Sequence, residues 1–269
     1  MKHVSGFLEK ISRLTAERNA AAKRDLPIEA LKDSIKSGLV LGRRLHSTSG
    51  LEQAIRSGDG IIAEIKRASP SRGLIAPGIQ APHVAREYLD NGASAISVLT
   101  EPTHFGGSIR DLQDVRAAHP TAVLLMKDFV IDPYQIYQAR YFGADSILLI
   151  AALLTQTEVL EWHELATQLG LSVLVEVHNQ SEFDEARALA CPIIGINNRN
   201  LKTLETDLSI SKSLVQSRPV GSVLVAESGI ENRQTIEELR ALGFDGFLVG
   251  TSLMREGTPG AALKKLVRG

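Results

Sequence analysis

The residues that could do chemistry in this chain are polar side chains at the ends of short apolar runs. Two lysines, three glutamates and an asparagine occupy these positions: Glu64, Lys66, Lys127, Glu176, Asn197 and Glu227. Lysine and glutamate donate and accept protons efficiently when a shared cavity shifts their pKa values toward neutrality. Taken singly, each charge could be a solvated strand end. Together they predict a cavity for acid–base catalysis, because clustered charges are costly unless paired or used.

The elements that must position these side chains are eight runs rich in Leu and β-branched residues. In chain order they are residues 61–66, 95–100, 122–127, 146–150, 172–177, 193–197, 223–227 and 246–250. Their first residues lie 21 to 34 positions apart, which leaves room for a helix between parallel strands and is too long for a hairpin. This spacing favours an α/β fold, a closed (β/α)8 TIM barrel with its active site at the C-terminal strand ends.

Within this barrel, Glu64 and Lys66 are expected to act as a pair. They are two positions apart in the first run, so strand alternation points both side chains to one face. At a barrel mouth we expect that face to be the interior.

Helices are predicted between the runs from apolar spacing and from start and stop residues. Residues 157–169 place apolar side chains at helical intervals, and Gly170 follows as a stop. Asp132 and Pro133 are typical of a helix start, with the end near Gly143.

Residues 1–60 precede the first run and predict an N-terminal helical extension packed on the barrel. Their apolar positions fall on two faces, with Phe7, Leu8, Ile11 and Leu14 on one and Ile28, Leu31 and Ile35 on the other. We expect residues 61–269 to form the catalytic barrel and the whole chain to be one structural domain. An open doubly wound sheet is the rival, but a Gly-rich loop would usually follow its first strand, whereas residues 66–71 read KRASPS.

Composition argues against several classes of partner. The net charge is −1, so a global basic field for nucleic acid is absent. The longest apolar run, residues 147–154, is far shorter than the about 20 residues of a membrane span. The first ten residues carry charge and lack the apolar core of a secretory signal. We therefore expect a cytoplasmic protein without nucleic-acid or membrane partners, either a monomer or a homodimer.

The cysteine and histidines do not predict a metal centre. The single Cys191 can form no internal disulfide and is expected to be a small buried residue. His163 lacks a second histidine four residues on, and His178 has no close partner in the sequence. We expect the histidines to be surface or helix residues.

A phosphate site is predicted after the last two runs. Ser228 and Gly229 follow one run, and Gly250 and Thr251 follow the other. Small residues there let backbone N–H groups approach an anion, as is common in this fold. An ordinary βα turn is the alternative. Ser69 could contribute a hydroxyl or could simply belong to its loop.

Residues 61–71 (IIAEIKRASPS) resemble the first-strand signature of the indole-3-glycerol phosphate synthase family. Further segments are similar to that family and occur in its order: VLTE at 98–101, FGGS at 105–108, LMKDF at 125–129, DPYQ at 132–135, VEVH at 175–178, GINNRNL at 195–201, ESGI at 227–230 and LVG at 248–250. The resemblance covers roughly residues 50–255, with a looser likeness before them.

The resemblance implies conversion of 1-(2-carboxyphenylamino)-1-deoxyribulose 5-phosphate to indole-3-glycerol phosphate, a step of tryptophan biosynthesis. The reaction closes a ring and releases CO2 and water, and the family uses no cofactor. By resemblance Lys127 is the general acid, Lys66 binds the substrate carboxylate and Glu176 acts in dehydration. Glu64 orients the lysines, and Asn197 and Glu227 hold the hydroxyl and anilino groups, with Arg199 in support.

The resemblance also implies the substrate-binding residues. Phosphate binding is implied for Ser69, Ser228, Gly229, Gly250 and Thr251, and an aromatic pocket for Phe105 and Phe129. Three rivals stay open. Phosphoribosylanthranilate isomerase would use a Cys and Asp pair, a catalytically inactive barrel would only bind a sugar phosphate, and an aldolase would use a barrel lysine as nucleophile.

Overall fold

A computed structural model describes residues 1–2, 4–40, 50–255 and 257–268. Eight parallel strands form a barrel: β1 (Ile61–Ile65), β4 (Ala95–Leu99), β5 (Leu124–Lys127), β6 (Ser146–Ile150), β7 (Ser172–Val177), β8 (Ile193–Asn197), β9 (Val223–Glu227) and β10 (Gly246–Val249). The barrel closes in the order β1-β10-β9-β8-β7-β6-β5-β4. The predicted (β/α)8 barrel is therefore confirmed, and each predicted run contains one of its strands.

Helices alternate with the strands and surround them. In the described part of the chain they are α1 (Phe7–Asp25), α2 (Ile28–Lys36), α3 (Gly50–Ser57), α4 (Ala81–Asp90), α5 (Pro102–Phe105), α6 (Ile109–Ala118), α7 (Pro133–Tyr141), α8 (Gln156–Gln168), α9 (Gln180–Ala188), α10 (Ser209–Leu214), α11 (Arg233–Leu242), α12 (Thr251–Met254) and α13 (Pro259–Arg268). Among these described helices, none has the length and apolar character needed to cross a bilayer.

Local sequence explains where the predicted helices begin. The Asp132 side chain accepts from the backbone N–H of Tyr134, and Pro133 is the first residue of α7. Thr155 and Glu158 form a reciprocal capping box at the start of α8. These side chains satisfy N–H groups that the first helical turn leaves without partners.

The N-terminal extension covers both ends of the barrel. Helix α3 closes the N-terminal end, where Leu51 and Ile55 are buried in the core. Helix α1 lies against α7 near the opposite end, where the Asn19 amide donates to Gln135 at 2.9 Å and Arg18 pairs with Asp128 at 2.7 Å. The predicted extension thus contains three helices in its described part, and residues 3 and 41–49 lie outside the described residues.

Two short elements at the barrel mouth have no counterpart in the predicted pattern. Strands β2 (Ala68–Ser69) and β3 (Gly73–Leu74) form an antiparallel hairpin directly after β1. Arg67 fastens this loop, since its guanidinium pairs with Asp111 and donates to the carbonyl oxygens of Gly106 and Ile79. The hairpin therefore stands at a fixed place beside the C-terminal end of β1.

Candidate active site

The C-terminal ends of the strands surround a cavity of about 220 Å³. All of the predicted site residues line it: Glu64, Lys66, Ser69, Phe105, Lys127, Phe129, Glu176, Asn197, Arg199, Glu227, Ser228, Gly229, Gly250 and Thr251. The closed parallel barrel explains this convergence, because its strands all end at one mouth. Their chemical roles are a separate question from this placement.

Lys127 lies at the centre of the charged wall. Its Nζ is 2.6 Å from Glu227 Oε2 and 3.4 Å from Glu176 Oε2, and all three side chains are largely buried. Burial alone would lower the pKa of the Lys127 ammonium, but the charges of Glu227, Glu176 and Glu64 raise it above its usual range. The pKa of Lys127 therefore moves away from neutrality, unlike the shift expected from the sequence, and the structure holds this residue as an ammonium.

The two carboxylates beside Lys127 have opposite proton affinities. Burial raises the pKa of Glu227 to about 7, and the neighbouring Glu176 adds to the rise while Lys127 opposes it. Burial also acts upward on the pKa of Glu176, but Lys127, His178 and Asn197 together hold it well below its usual range. Two acids whose pKa values are separated in this way can divide the roles of proton donor and proton acceptor.

Glu64 and Lys66 form the predicted pair inside the cavity. Lys66 Nζ is 2.5 Å from Glu64 Oε1, and Glu64 is buried. Gly250 makes room for this carboxylate, because a Cβ at position 250 would lie 2.5 Å from Glu64 Oε1. A glycine after β10 therefore has a packing role in addition to any contact with ligand.

Strand register brings Asn197 to the carboxylates. In the β8 to β9 ladder Asn197 is the direct partner of Glu227, and its side chain also bonds to Glu176. Gly195, two residues earlier on the same strand, faces Glu227 Oε1, which has no hydrogen-bond partner among the described residues. The Glu227 carboxylate therefore occupies space that a side chain at position 195 would fill.

Positive charge collects at another part of the cavity wall. Arg199 donates to the carbonyl oxygen of Leu204 at 2.7 Å and to Ser71 Oγ at 3.2 Å. Burial, followed by repulsion from Arg72, lowers the pKa of the Arg199 guanidinium. With Arg255, three guanidinium groups line one cavity, and together they create a local field that favours an anion.

The predicted phosphate residues have features that suit a ligand. Ser69 Oγ is buried without a hydrogen-bond partner in the described part of the chain. Ser228 and Gly229 have φ angles of 64° and 80°, in the left-handed region. A serine in that conformation is strained, and such strain concentrates at functional sites.

An aromatic wall includes one residue that sequence reasoning placed only on a helix face. Phe105 and Phe129 line the cavity with ring centroids 6.1 Å apart. Phe7 from α1 also lines it, and its ring lies 6.0 Å from Phe129. The sequence places Phe7 on the apolar face of α1, but it does not specify where that helix docks on the barrel.

The expectation that His178 is a surface or helix residue without a close partner is wrong. It follows β7, is about nine-tenths buried, and lies 3.1 Å from Glu176 and 3.3 Å from Glu182. The signal was its spacing, two residues after one glutamate and four before another. Cys191 is buried as predicted, and no described group of three or more acidic, His or Cys side chains could hold a metal ion.

Known proteins share the barrel fold of this chain. In solved structures the likeness shows the fold alone: 3-hexulose-6-phosphate synthase from Salmonella typhimurium matches with a TM-score of 0.64 at 12% identity, covering 78% of this chain and 97% of that chain. The N-acetylmannosamine-6-phosphate 2-epimerase from Clostridium perfringens matches with a TM-score of 0.58 at 13% identity, covering 76% of this chain and 92% of that chain.

Sequence relatives extend over nearly the whole chain. The indole-3-glycerol phosphate synthase of Burkholderia vietnamiensis is 41% identical over 265 residues, which are 98% of this chain and 99% of that protein. The Burkholderia lata enzyme of the same name is 40% identical with the same coverage. The family model for indole-3-glycerol phosphate synthase matches residues 8–266, and the chain therefore belongs to that family.

Proposed function

We propose that this chain converts 1-(2-carboxyphenylamino)-1-deoxyribulose 5-phosphate to indole-3-glycerol phosphate with release of CO2 and water, as a carbon–carbon lyase of tryptophan biosynthesis. The observation that carries the proposal is the position of Lys127 between two buried carboxylates at the wall of the cavity. Family membership gives the reaction, and this cluster supplies the proton donor and acceptors that it needs.

Ring closure needs an acid at the ketone. The aromatic carbon that carries the carboxylate bonds to the ketone carbon, and Lys127 gives its proton to the ketone oxygen, which becomes a hydroxyl. Glu227 can then return a proton to Lys127, because the two lie 2.6 Å apart and the pKa of Glu227 is raised to about 7. The cluster therefore contains both the acid and its source of protons.

Loss of CO2 and water completes the balance. Lys66 binds the carboxylate, which leaves as CO2 and restores the aromatic ring. Glu176 then accepts a proton from the carbon beside the new hydroxyl, and the hydroxyl leaves as water after protonation by a lysine. No oxidant or reductant enters this balance, so proton transfer and positioning are sufficient.

Binding roles follow the shape of the cavity. Glu64 orients the lysines, and Asn197 with Glu227 holds the hydroxyl and anilino groups. Arg199 supports these two residues. The phosphate is assigned to a set of small and hydroxyl-bearing residues: Ser69, Ser228, Gly229, Gly250 and Thr251. Phe105 and Phe129 hold the aromatic ring, because a flat apolar wall suits a benzoate ring. The unpartnered hydroxyl of Ser69 supports this assignment.

The rival functions have weaker support from the geometry. An isomerase with a Cys and Asp pair would need a cysteine at the cavity, but Cys191 precedes β8 and is not a lining residue. An aldolase needs a neutral lysine nucleophile, whereas the pKa of Lys127 is raised.

We further infer one structural domain, a cytoplasmic location, and a monomer or homodimer that binds a small phosphorylated molecule.

The test is the appearance of indole fluorescence when the purified protein meets the carboxyphenylamino-deoxyribulose phosphate in EDTA. Lys127→Gln keeps a hydrogen-bond donor near Glu227 but lacks an ammonium, and we expect it to lose product formation about 100-fold or more while still binding substrate. Lys212→Gln, an exposed residue of α10, is the matched control and should keep full activity. A folded wild-type protein that binds the substrate without forming product would contradict the proposal and favour an inactive sugar-phosphate barrel.

A further inference from the structure

A histidine lies between two carboxylates beside the charged wall. His178 follows β7 and does not line the cavity. Its Nε2 is 3.1 Å from Glu176 Oε1, and its Nδ1 is 3.3 Å from Glu182 Oε2. The histidine therefore contacts Glu176 without being a cavity residue itself.

Glu182 is held so that it orients the imidazole. Its Oε2 also accepts from the backbone N–H of His178 at 2.8 Å, and its Oε1 accepts from the Asn179 amide at 2.6 Å. Asn179 in turn caps α9 by accepting from the backbone N–H of Glu182 at 3.0 Å. This network ties the ring to the start of a helix, so the imidazole has a defined orientation.

When Glu227 is ionised, charge balance favours a second cation at Glu176. Lys127 is nearer to Glu227 than to Glu176, at 2.6 Å against 3.4 Å, and one ammonium cannot neutralise two buried carboxylates. An imidazolium at His178 supplies the missing charge on the other oxygen, Oε1. The two oxygens of Glu176 therefore face different cations.

The protonation state of His178 agrees with this geometry. Burial alone would lower its pKa, but the hydrogen bond to Glu182 and the negative charges of Glu176 and Glu182 close to the ring outweigh burial and raise it to about 9. The titratable groups that face the ring are Glu176 from β7 and Glu182 from α9. Lys127 from β5 faces the other oxygen of Glu176.

We propose that His178 is a positioning residue for the reaction proposed above: as an imidazolium oriented by Glu182, it fixes one oxygen of Glu176 and keeps this carboxylate ionised beside Lys127. It thereby decides which of two neighbouring glutamates carries the proton. With His178 charged, Glu176 is the base and Glu227 is the group that can be protonated. With a neutral residue there, the two carboxylates would compete for the single charge of Lys127.

The kinetic test changes the charge next to Glu176 and leaves the residues that line the cavity unchanged. Glu182→Gln keeps an acceptor for the ring but removes the charge that stabilises the imidazolium. The wild-type kcat profile should fall in two steps, one near pH 7 as Glu227 loses its proton and an alkaline limb near pH 9 as His178 does. We expect Glu182→Gln to move the alkaline limb down toward the ordinary histidine value of about 6.5, with KM unchanged. His178→Gln keeps an N–H donor without charge and should lose kcat about 10-fold to 100-fold, as orienting partners at metal sites do.

The matched control is Asp184→Asn, which removes one charge from the same helix. Asp184 pairs with Arg187 on the exposed side of α9, so its kcat and pH profile should equal those of the wild type. Full activity and an unchanged pH profile in both Glu182→Gln and His178→Gln would overturn the proposal. A merely structural role would lower stability without moving the alkaline limb.

Nitrogen-15 NMR of the imidazole separates this inference from the proposed function. In wild-type protein without substrate, the His178 ring should stay doubly protonated up to about pH 9, and Glu182→Gln should lower that midpoint. A neutral ring at pH 7 would overturn the inference even if the protein makes product. Absence of product with the ring charged would instead contradict the proposed reaction, because the charge state is read without turnover.

Discussion

Gly195→Ala should damage the active site from inside the barrel wall. Gly195 is buried in β8, and a Cβ there would lie 2.1 Å from Glu227 Oε1 and 3.2 Å from Leu174 Cδ1. Because real Cβ atoms essentially never approach another heavy atom closer than 3.0 Å, the carboxylate must move by at least about 0.9 Å. Overpacking of this kind costs about 1–3 kcal/mol of stability, and a displacement of about 1 Å can cost about 100-fold in rate.

The assay compares kcat from indole fluorescence with the free energy of unfolding in urea. Gly246→Ala is the matched control, because its Cβ would meet Val225 and Ile55 at 3.1 and 3.2 Å at the N-terminal end of the barrel. We expect this control to lose stability while kcat is unchanged, and Gly195→Ala to lose both. Wild-type kcat in Gly195→Ala would refute the claim that Glu227 must stay beside Lys127.

Three further outcomes are expected. Arg116→Met should lower the free energy of unfolding in urea by about 3–5 kcal/mol, because it leaves the buried Asp145 carboxylate without its cationic partner. Arg110→Met, at an exposed ion pair, should change stability little. Equal losses in the two variants would contradict this. Native Cys191 should resist iodoacetamide at pH 8 and react only after unfolding, since burial raises its pKa to about 11; rapid labelling would contradict the packing. His178 should contribute about 3 kcal/mol of stability below pH 6.5, and this contribution should disappear as pH rises through about 9, because the pKa of His178 is raised in the folded protein. If the free energy of unfolding of His178→Gln depends on pH as that of the wild type does, the prediction is wrong.

The barrel and the Glu64 to Lys66 pair were predictable because both depend on short-range regularities. Strand length, the interval between strands and side-chain alternation are local properties of the chain. Fold geometry then brings the strand ends together, so residues far apart in sequence could be assigned to one cavity. The roles of single residues came from resemblance to the family.

The sequence spacing placed His178 near two glutamates but did not specify the contacts, and the contacts of Phe7 depend on how separate elements dock. Glu182 reaches His178 only through the turn and cap that start α9. Phe7 reaches Phe129 because α1 lies against α7. Likewise, Gly195 faces Glu227 through the register between neighbouring strands, which a single sequence does not specify.

The central claim is that this cavity closes the indole ring with loss of CO2 and water. The most direct measurement follows substrate labelled with carbon-13 in its carboxylate by NMR, in EDTA, while indole fluorescence is recorded from the same sample. We expect labelled CO2 or bicarbonate and the indole product to appear at equal rates with the wild type, and both to disappear with Lys127→Gln. Retention of the label in the organic product, or release of CO2 without an indole, would contradict it.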